Sequence, residues 1–211
     1  MEIPIAKKLK KRAHLELALL QDEVVEVLYS LCAGNEPVLH GGTAIWRCYG
    51  GRRFSEDLDF YGSLTEEFRE KLARELESRG LVLGKYKKAP HVVFAKIQNR
   101  NTEVKLEISK GFPSKKVLRQ YEKADGTKMD IYSLPREELI KEKMEAYLNR
   151  RFIRDIYDVY FLGQQEGKIR GISGFLNRLG PPADEKNLRA LVYVGMAPDF
   201  REMVKALERI K

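Results

Sequence analysis

Cysteine and long hydrophobic runs are both scarce in this chain. Of 211 residues only Cys32 and Cys48 are cysteine, too few for a disulfide framework and without the paired spacing of a zinc site. We expect two free, buried thiols and a reducing compartment. The longest apolar runs, such as 17–20 and 92–95, span only a few residues, whereas a membrane helix needs about 20. We therefore predict a cytoplasmic protein that is not secreted and has no membrane partner.

Basic residues exceed acidic ones. Lysine and arginine total 39 against 31 aspartates and glutamates, which gives a formal net charge of +8. The chain is 43% hydrophobic, which is typical of a folded, globular protein and excludes a disordered one. The excess charge indicates a polyanionic partner without identifying it. A solvated surface or a thermophilic source would explain the same composition.

Apolar spacing and breaker residues predict two parts, an α/β part over residues 1–132 and a helical part over 133–211. Pro135 followed by Glu137 and Glu138 is typical of a helix start and marks the change. In the first part we predict helices at 13–33, 44–49 and 65–79 and strands at 57–61, 81–87, 91–98, 103–109, 118–121 and 128–132. In the second part we predict helices at 135–149, 152–164, 171–179, 185–194 and 198–210.

Three carboxylates have the polarity of a shared site. Asp57 and Asp59 stand two apart on a predicted strand, so both leave the same face while Leu58 takes the other. Alternation in 103–109 puts Glu107 on the polar face of a later strand. If the two strands are neighbours, three carboxylates converge, and such a cluster needs a cation such as Mg²⁺. Paired Mg²⁺ ions serve phosphoryl and nucleotidyl transfer.

A glycine pair precedes the carboxylates. Gly41 and Gly42 open a predicted helix, where backbone N–H groups can approach a phosphate and Thr43 can add a hydroxyl donor. A Gly-Gly-Thr turn or an Asp-x-Asp pair is, taken alone, more often an ordinary turn or a solvated strand edge. Their ordered combination with a third acid is far more specific.

The ordered set of motifs resembles a known family. Gly41-Gly42-Thr43 is followed by R-F-S-x-D-x-D over 53–59, by the later strand acid, by K-x-x-A-x-x-x-R over 143–150 and by R-D-x-Y-D over 154–158. This order, over roughly 38 to 162, resembles the AbiEii/AbiGii-type nucleotidyltransferase toxins of type IV toxin-antitoxin systems, within the DNA polymerase β-like superfamily.

The resemblance implies a fold, a reaction and a set of site residues. The implied fold is α/β (α+β), a polymerase β-like mixed sheet with flanking helices followed by a C-terminal helical bundle. The implied substrate is NTP, with Mg²⁺, or Mn²⁺ in its place, as cofactor. Asp57, Asp59 and Glu107 would be metal ligands; catalytic residues would be these three with Lys143 and Asp155; nucleotide-binding residues would be Gly41, Gly42, Thr43, Arg53, Ser55 and Lys143. One departure is Glu107, because the superfamily commonly has aspartate there.

The helical motif residues also have simpler interpretations. Lys143 lies at the edge of an apolar helix stripe, where the resemblance implies a phosphate contact, but its stem could instead extend along the core to solvent. The resemblance places Asp155 towards the active site. Arg151 with Asp155, and Arg154 with Asp158, also have the i,i+4 spacing of helix salt bridges.

Three functions remain open from the sequence. The first is transfer of a nucleoside monophosphate to RNA, preferably the tRNA 3′ end, by a toxin with a cognate antitoxin. Basic residues near Glu107 in the sequence fit an RNA partner; they are Lys105, Lys110, Lys115, Lys116, Arg119 and Lys123. The second is a nucleotide- or RNA-binding regulator without turnover, which the paired aspartates disfavour. The third is the same transfer to a protein or a small molecule.

Overall fold

The computed structural model describes residues 3–210, which form two compact units. The first contains the chain up to Cys48 together with Ser55–Leu134, and the second contains Tyr49–Phe54 together with the chain from Pro135 onward. The sequence-based division at 132/133 assigned 49–54 to the first part. Backbone hydrogen bonds from Phe54 N to Leu191 O (2.9 Å) and from Tyr193 N to Arg52 O (3.1 Å) tie this segment to the second unit.

A mixed sheet is the centre of the first unit. Within residues 3–210 it has seven strands in the order β3-β4-β5-β2-β1-β7-β6. Strand β1 pairs parallel with β7, β2 pairs parallel with β5, and the other neighbours are antiparallel. The strands are β1 (Val38–His40), β2 (Leu58–Gly62), β3 (Val82–Lys88), β4 (Val92–Gln98), β5 (Glu103–Lys110), β6 (Val117–Glu122) and β7 (Lys128–Ser133).

Four helices of the described chain accompany the sheet in this unit. They are α1 (Ile5–Lys8), α2 (Arg12–Leu31), α3 (Gly41–Cys48) and α4 (Phe68–Ser78). The predicted helices 13–33 and 65–79 are confirmed within three residues at each end, whereas α3 begins three residues earlier than predicted, at Gly41, and α1 was not predicted. Cys32 and Cys48 are free, as expected, but only Cys48 is buried, and Cys32 is half-buried.

The second unit is helical, as predicted. It contains α5 (Arg136–Arg150), α6 (Ile153–Gly163), α7 (Ile172–Leu176), α8 (Leu188–Leu191) and α9 (Phe200–Glu208), with a 3-10 turn at Glu185–Asn187. The predicted helices 171–179 and 185–194 are much shorter here. Pro181 and Pro182 separate them, and the Asp184 carboxylate caps the start of α6 by accepting from Ile153 N at 2.6 Å. No helix of residues 3–210 is long and apolar enough to cross a membrane. The predicted architecture, a mixed sheet followed by helices, is confirmed.

Arg47 fixes α3 within the first unit. Its side chain is buried, and it donates to Ala18 O of α2 at 3.0 Å and to Glu122 O of β6 at 3.1 Å. It also lies 3.2 Å from the carboxylate of Asp22, which accepts from the Tyr121 hydroxyl at 3.0 Å. A buried guanidinium therefore holds the helix whose first residue is Gly41.

Replacing Arg47 should destabilise the first unit strongly. We expect Arg47→Met to lower the free energy of unfolding by about 3–5 kcal/mol, because the Asp22 carboxylate then stays buried without its cation. Urea denaturation followed by circular dichroism measures this change. Arg74→Met is the control, since Arg74 is exposed on α4 and should change the free energy by less than about 0.5 kcal/mol. Equal stability of the two variants would contradict the anchoring role.

Candidate active site

The three predicted carboxylates lie on one side of the sheet. Strand β2 runs parallel to β5 with Asp59 paired with Glu107, and antiparallel to β1 with His40 paired with Asp59. Alternation buries Leu58 of β2 and leaves Asp59 on the opposite face. Asp57 stands directly before β2, and all three carboxylates line one cavity of about 370 Å³. The condition set by the sequence, that the two strands be neighbours, is met.

The carboxylates influence one another electrostatically. The pKa of Glu107 is raised above its ordinary value, first by burial and then by the negative charges of Asp59 and Asp57, while His40 acts in the opposite direction. As the side chains of residues 3–210 stand, no three acidic, histidine or cysteine groups lie closely enough to hold one metal ion. Mg²⁺ commonly takes only one or two carboxylates and completes its shell with water and substrate phosphates. This set of hard oxygen donors therefore fits Mg²⁺.

Gly41 makes room for the Asp59 carboxylate. Its φ is +70°, and a Cβ at this position would lie 2.5 Å from Asp59 Oδ2, closer than atoms can approach. Thr43, fully buried in the first turn of α3, donates its hydroxyl to Asp57 O at 2.6 Å. The start of α3 thus positions both aspartates. The Thr43 hydroxyl proton is engaged by the chain, so its role as a phosphate donor stays a prediction, as do the roles of Gly41 and Gly42.

Arg53 and Asp158 form a buried ion pair in the second unit. Arg53 Nε donates to one carboxylate oxygen of Asp158 at 2.6 Å, Nη2 donates to the other, and Nη1 donates to Phe54 O at 3.0 Å. The pair ties the segment 49–54 to α6. These donors are engaged within the unit, and the predicted nucleotide contact of Arg53 stays a prediction.

Lys143 and Asp155 belong to the same charge network. Lys143 Nζ lies 3.2 Å from Asp158 and 3.5 Å from Asp155, and it is buried, so its stem does not extend to solvent. Asp155 accepts two hydrogen bonds from Arg150, at 2.7 and 2.8 Å. Burial alone would raise the pKa of Asp155, but these hydrogen bonds and the charge of Lys143 hold it below its ordinary value. Arg53, Lys143 and Arg150 are thus the cations in direct contact with these two carboxylates.

Sequence reasoning named the residues of these two clusters but missed some of their partners and part of the cavity. The i,i+4 alternative does not describe the principal partners, because Asp155 is held by Arg150 of α5 and Asp158 by Arg53. Ser55 is nearly buried, and its carbonyl accepts from the Gln21 side chain at 3.0 Å. The cavity beside the carboxylates also includes Phe94 and lysines of β3 and β4. Polar alternation in the predicted strands 81–87 and 91–98 could have indicated that face.

Known structures share this fold over nearly the whole chain. JHP933 from Helicobacter pylori is 21% identical, with 95% of this chain and 90% of that chain covered and a TM-score of 0.64. MenT4, a nucleotidyltransferase toxin from Mycobacterium tuberculosis, is 16% identical, with 98% and 86% covered and a TM-score of 0.64. At these identities the likeness shows the fold. A comparison with curated protein sequences gives no significant match.

The shared fold, together with a match to the model of one protein family, defines a nucleotidyltransferase. The model of the family described as nucleotidyl transferase AbiEii toxin, type IV toxin-antitoxin system, matches residues 26–180. The chain belongs to this family, as its motifs predicted.

Replacing Gly41 should disrupt the carboxylate site. We expect Gly41→Ala to lower the nucleotidyl transfer rate about 100-fold or more, because the new methyl group displaces the Asp59 carboxylate. The measurement is the rate of transfer from labelled NTP. Gly80→Ala is the matched control, since Gly80 has a φ of +71° and a Cβ added there would have nothing within 4 Å; it adds backbone strain without a collision. A similar loss in both variants would refute the close-approach explanation.

Asp155→Asn should destabilise the second unit in a pH-dependent way. Because the folded pKa of Asp155 is depressed, its ionised form stabilises the fold fully above the unfolded value of about 3.9. This contribution is lost as the pH falls through the lower folded pKa. We expect a deficit of about 3–5 kcal/mol at pH 7 that shrinks towards pH 3, measured by denaturant unfolding. Asp130→Asn, at an exposed position on β7, is the control and should change the free energy of unfolding at pH 7 by less than about 0.5 kcal/mol.

Proposed function

We propose that the chain transfers a nucleoside monophosphate from NTP to a hydroxyl of an RNA acceptor, the tRNA 3′ end, with release of pyrophosphate. The observation that carries the proposal is the pairing of Asp59 with Glu107 on adjacent strands, with Asp57 beside them. We further propose that the protein acts as a toxin in the cytoplasm, restrained by a cognate antitoxin, as membership of its family implies.

Asp57, Asp59 and Glu107 would hold Mg²⁺, with Mn²⁺ as an alternative. Burial and then the charges of Asp59 and Asp57 raise the pKa of Glu107, and a bound cation would relieve the repulsion among the three carboxylates. When bound, Mg²⁺ would stabilise negative charge on the phosphates between which the bond is broken. Glu107 would also accept the proton of the acceptor hydroxyl.

Other residues would bind the nucleotide and orient the site. The N–H groups of Gly41 and Gly42 stand at the start of α3, where the helix dipole favours a phosphate. Lys143 would contact a phosphate, as membership of the family implies. Asp155 would position Lys143 through their 3.5 Å contact. Arg53 and Ser55 would orient the chain that leads into Asp57.

An RNA acceptor is supported by charge. The net charge of +8 suits a polyanion, and lysines line the cavity next to the carboxylates. Transfer to a protein or small-molecule hydroxyl uses the same site and is the alternative for the acceptor. A binding regulator without turnover has little use for paired metal ligands.

Labelled NTP identifies both the reaction and the acceptor. The protein is incubated with each labelled NTP, Mg²⁺ and total RNA, and products are separated on a denaturing gel. We expect label on a discrete tRNA band, lost on chelation and reduced at least about 1000-fold in Asp57→Asn, because the site loses a metal ligand. Asp130→Asn should retain the wild-type rate.

The other outcomes are equally decisive. Label on protein or a small molecule, with none on RNA, would replace the proposed acceptor by the alternative. Nucleotide binding without transfer to any of the three would refute enzymatic turnover. Mn²⁺ titration monitored by electron paramagnetic resonance tests the metal independently, since Asp57→Asn should weaken Mn²⁺ binding even where no acceptor is present.

A further inference from the structure

The row of side chains that carries the carboxylates continues onto two more strands. Phe94 of β4 pairs with Glu107, and Lys87 of β3 pairs with Phe94. The in-register row therefore reads Lys87, Phe94, Glu107, Asp59 and His40. Neighbouring strands lie about 4.8 Å apart, so the backbone of Phe94 is about 10 Å from that of Asp59.

Phe94 is an exposed aromatic residue surrounded by cations. Its side chain is 42% exposed on the same face as the carboxylates, although its strand neighbours Val93 and Ala95 are buried. The same cavity is lined by Lys85, Lys87, Lys96 and Lys105. Lys96 is bound to Glu103 at 2.7 Å, whereas the other three are exposed. We call Lys85, Lys87, Phe94 and Lys105 the lysine wall.

A single exposed phenylalanine or a few surface lysines would need no explanation. Here the ring and the cations line one cavity together with Asp57, Asp59 and Glu107, and Phe94 is the register partner of Glu107. Because carboxylates repel a polyanion, the part of the cavity where a phosphate chain can lie is the part beside the lysines. An aromatic ring among cations is the arrangement that binds single-stranded nucleic acid without sequence preference.

We propose that the lysine wall binds the single-stranded end of the RNA acceptor. Phe94 stacks on a base near the reacting end, and Lys85, Lys87 and Lys105 bind the phosphates on either side of it. This inference rests on the proposed function and adds the place where the acceptor lies. A cavity of about 370 Å³ admits an unstacked base but not a duplex. Binding of unstacked bases is the usual mode of RNA recognition at single-stranded ends.

Fluorescence anisotropy with the intact protein tests the proposal without catalysis. The probe is a single-stranded RNA oligonucleotide with a 5′ fluorophore and a free 3′ hydroxyl, titrated without NTP or metal. We expect Phe94→Ala to raise the Kd about tenfold or more, because a stacking partner of one base is lost. Leu19→Ala is the control, since Leu19 is also an exposed apolar side chain, 46% exposed, but lies on α2 and does not line this cavity; its Kd should equal that of the wild type.

Salt dependence tests the lysines. We expect Lys87→Ala to weaken binding and to reduce the slope of log Kd against log salt by about 0.7, the value for one phosphate contact on a single strand. Lys88→Ala is the control on the same strand, because Lys88 Nζ is bound to Glu66 at 2.8 Å and is not part of the wall. Its slope should be unchanged.

The outcomes separate this inference from the function beneath it. Wild-type binding that neither Phe94→Ala nor Lys87→Ala weakens, or no RNA binding at all, overturns the lysine wall, even if labelled NTP still modifies RNA. Loss of RNA labelling by the wild type overturns the proposed function instead. Melting temperatures of the four variants equal to that of the wild type establish that any change in Kd comes from the wall and not from unfolding.

Discussion

The site depends on the close approach of the Asp59 carboxylate to the backbone of Gly41. A carboxylate oxygen 2.5 Å from the position that a Cβ would take is possible only where the chain has no side chain, and the positive φ of Gly41 is easily adopted only by glycine. His40 and Asp59 form the last residue pair between β1 and β2. The contact between Asp59 and Gly41 joins this pair to the first residue of α3. Through Arg47 the same helix is held against α2 and β6. One steric constraint thus links the carboxylates to the interior of the first unit.

The two clusters of charged side chains accommodate buried or half-buried carboxylates in different ways. In the first unit three carboxylates share a half-buried cavity, and the cost appears as the raised pKa of Glu107. In the second unit Asp155 and Asp158 are fully buried and each contacts cations directly. The first cluster lines an open cavity that a metal ion and a substrate could enter, whereas a buried network of ion pairs serves chiefly to fix geometry. This difference supports ligand binding by the carboxylates of the first cluster and a positioning role for most residues of the second cluster.

Much of the site could be predicted from the sequence because it depends on local rules. Alternation put Asp59 and Glu107 on polar faces, and the motif order indicated the family, both independent of long-range packing. The adjacency of β2 and β5 could only be stated as a condition, since β3 and β4 intervene in the sequence and strand order is a tertiary property. The partner of Asp158 was missed for the same reason, since Arg53 is 105 residues away. The partner of Asp155 was missed for a local reason, because Arg150 is five residues away and ends the preceding helix, α5. Helices 171–179 and 185–194 were predicted too long because apolar spacing does not report where short, irregular segments stop.

The strand register determines the order of the charged side chains across the cavity. Along one row of the sheet the charge changes from Lys87, across the uncharged ring of Phe94, to Glu107 and Asp59. A polyanion in this cavity gains most when its phosphates lie over β3 and β4 and only its reacting end approaches the carboxylates, where cations reduce the repulsion. The order of the row therefore favours one orientation of an extended acceptor. The opposite orientation would set the phosphates against unneutralised carboxylates, and at the short distances within one cavity solvent screening is too weak to remove that cost.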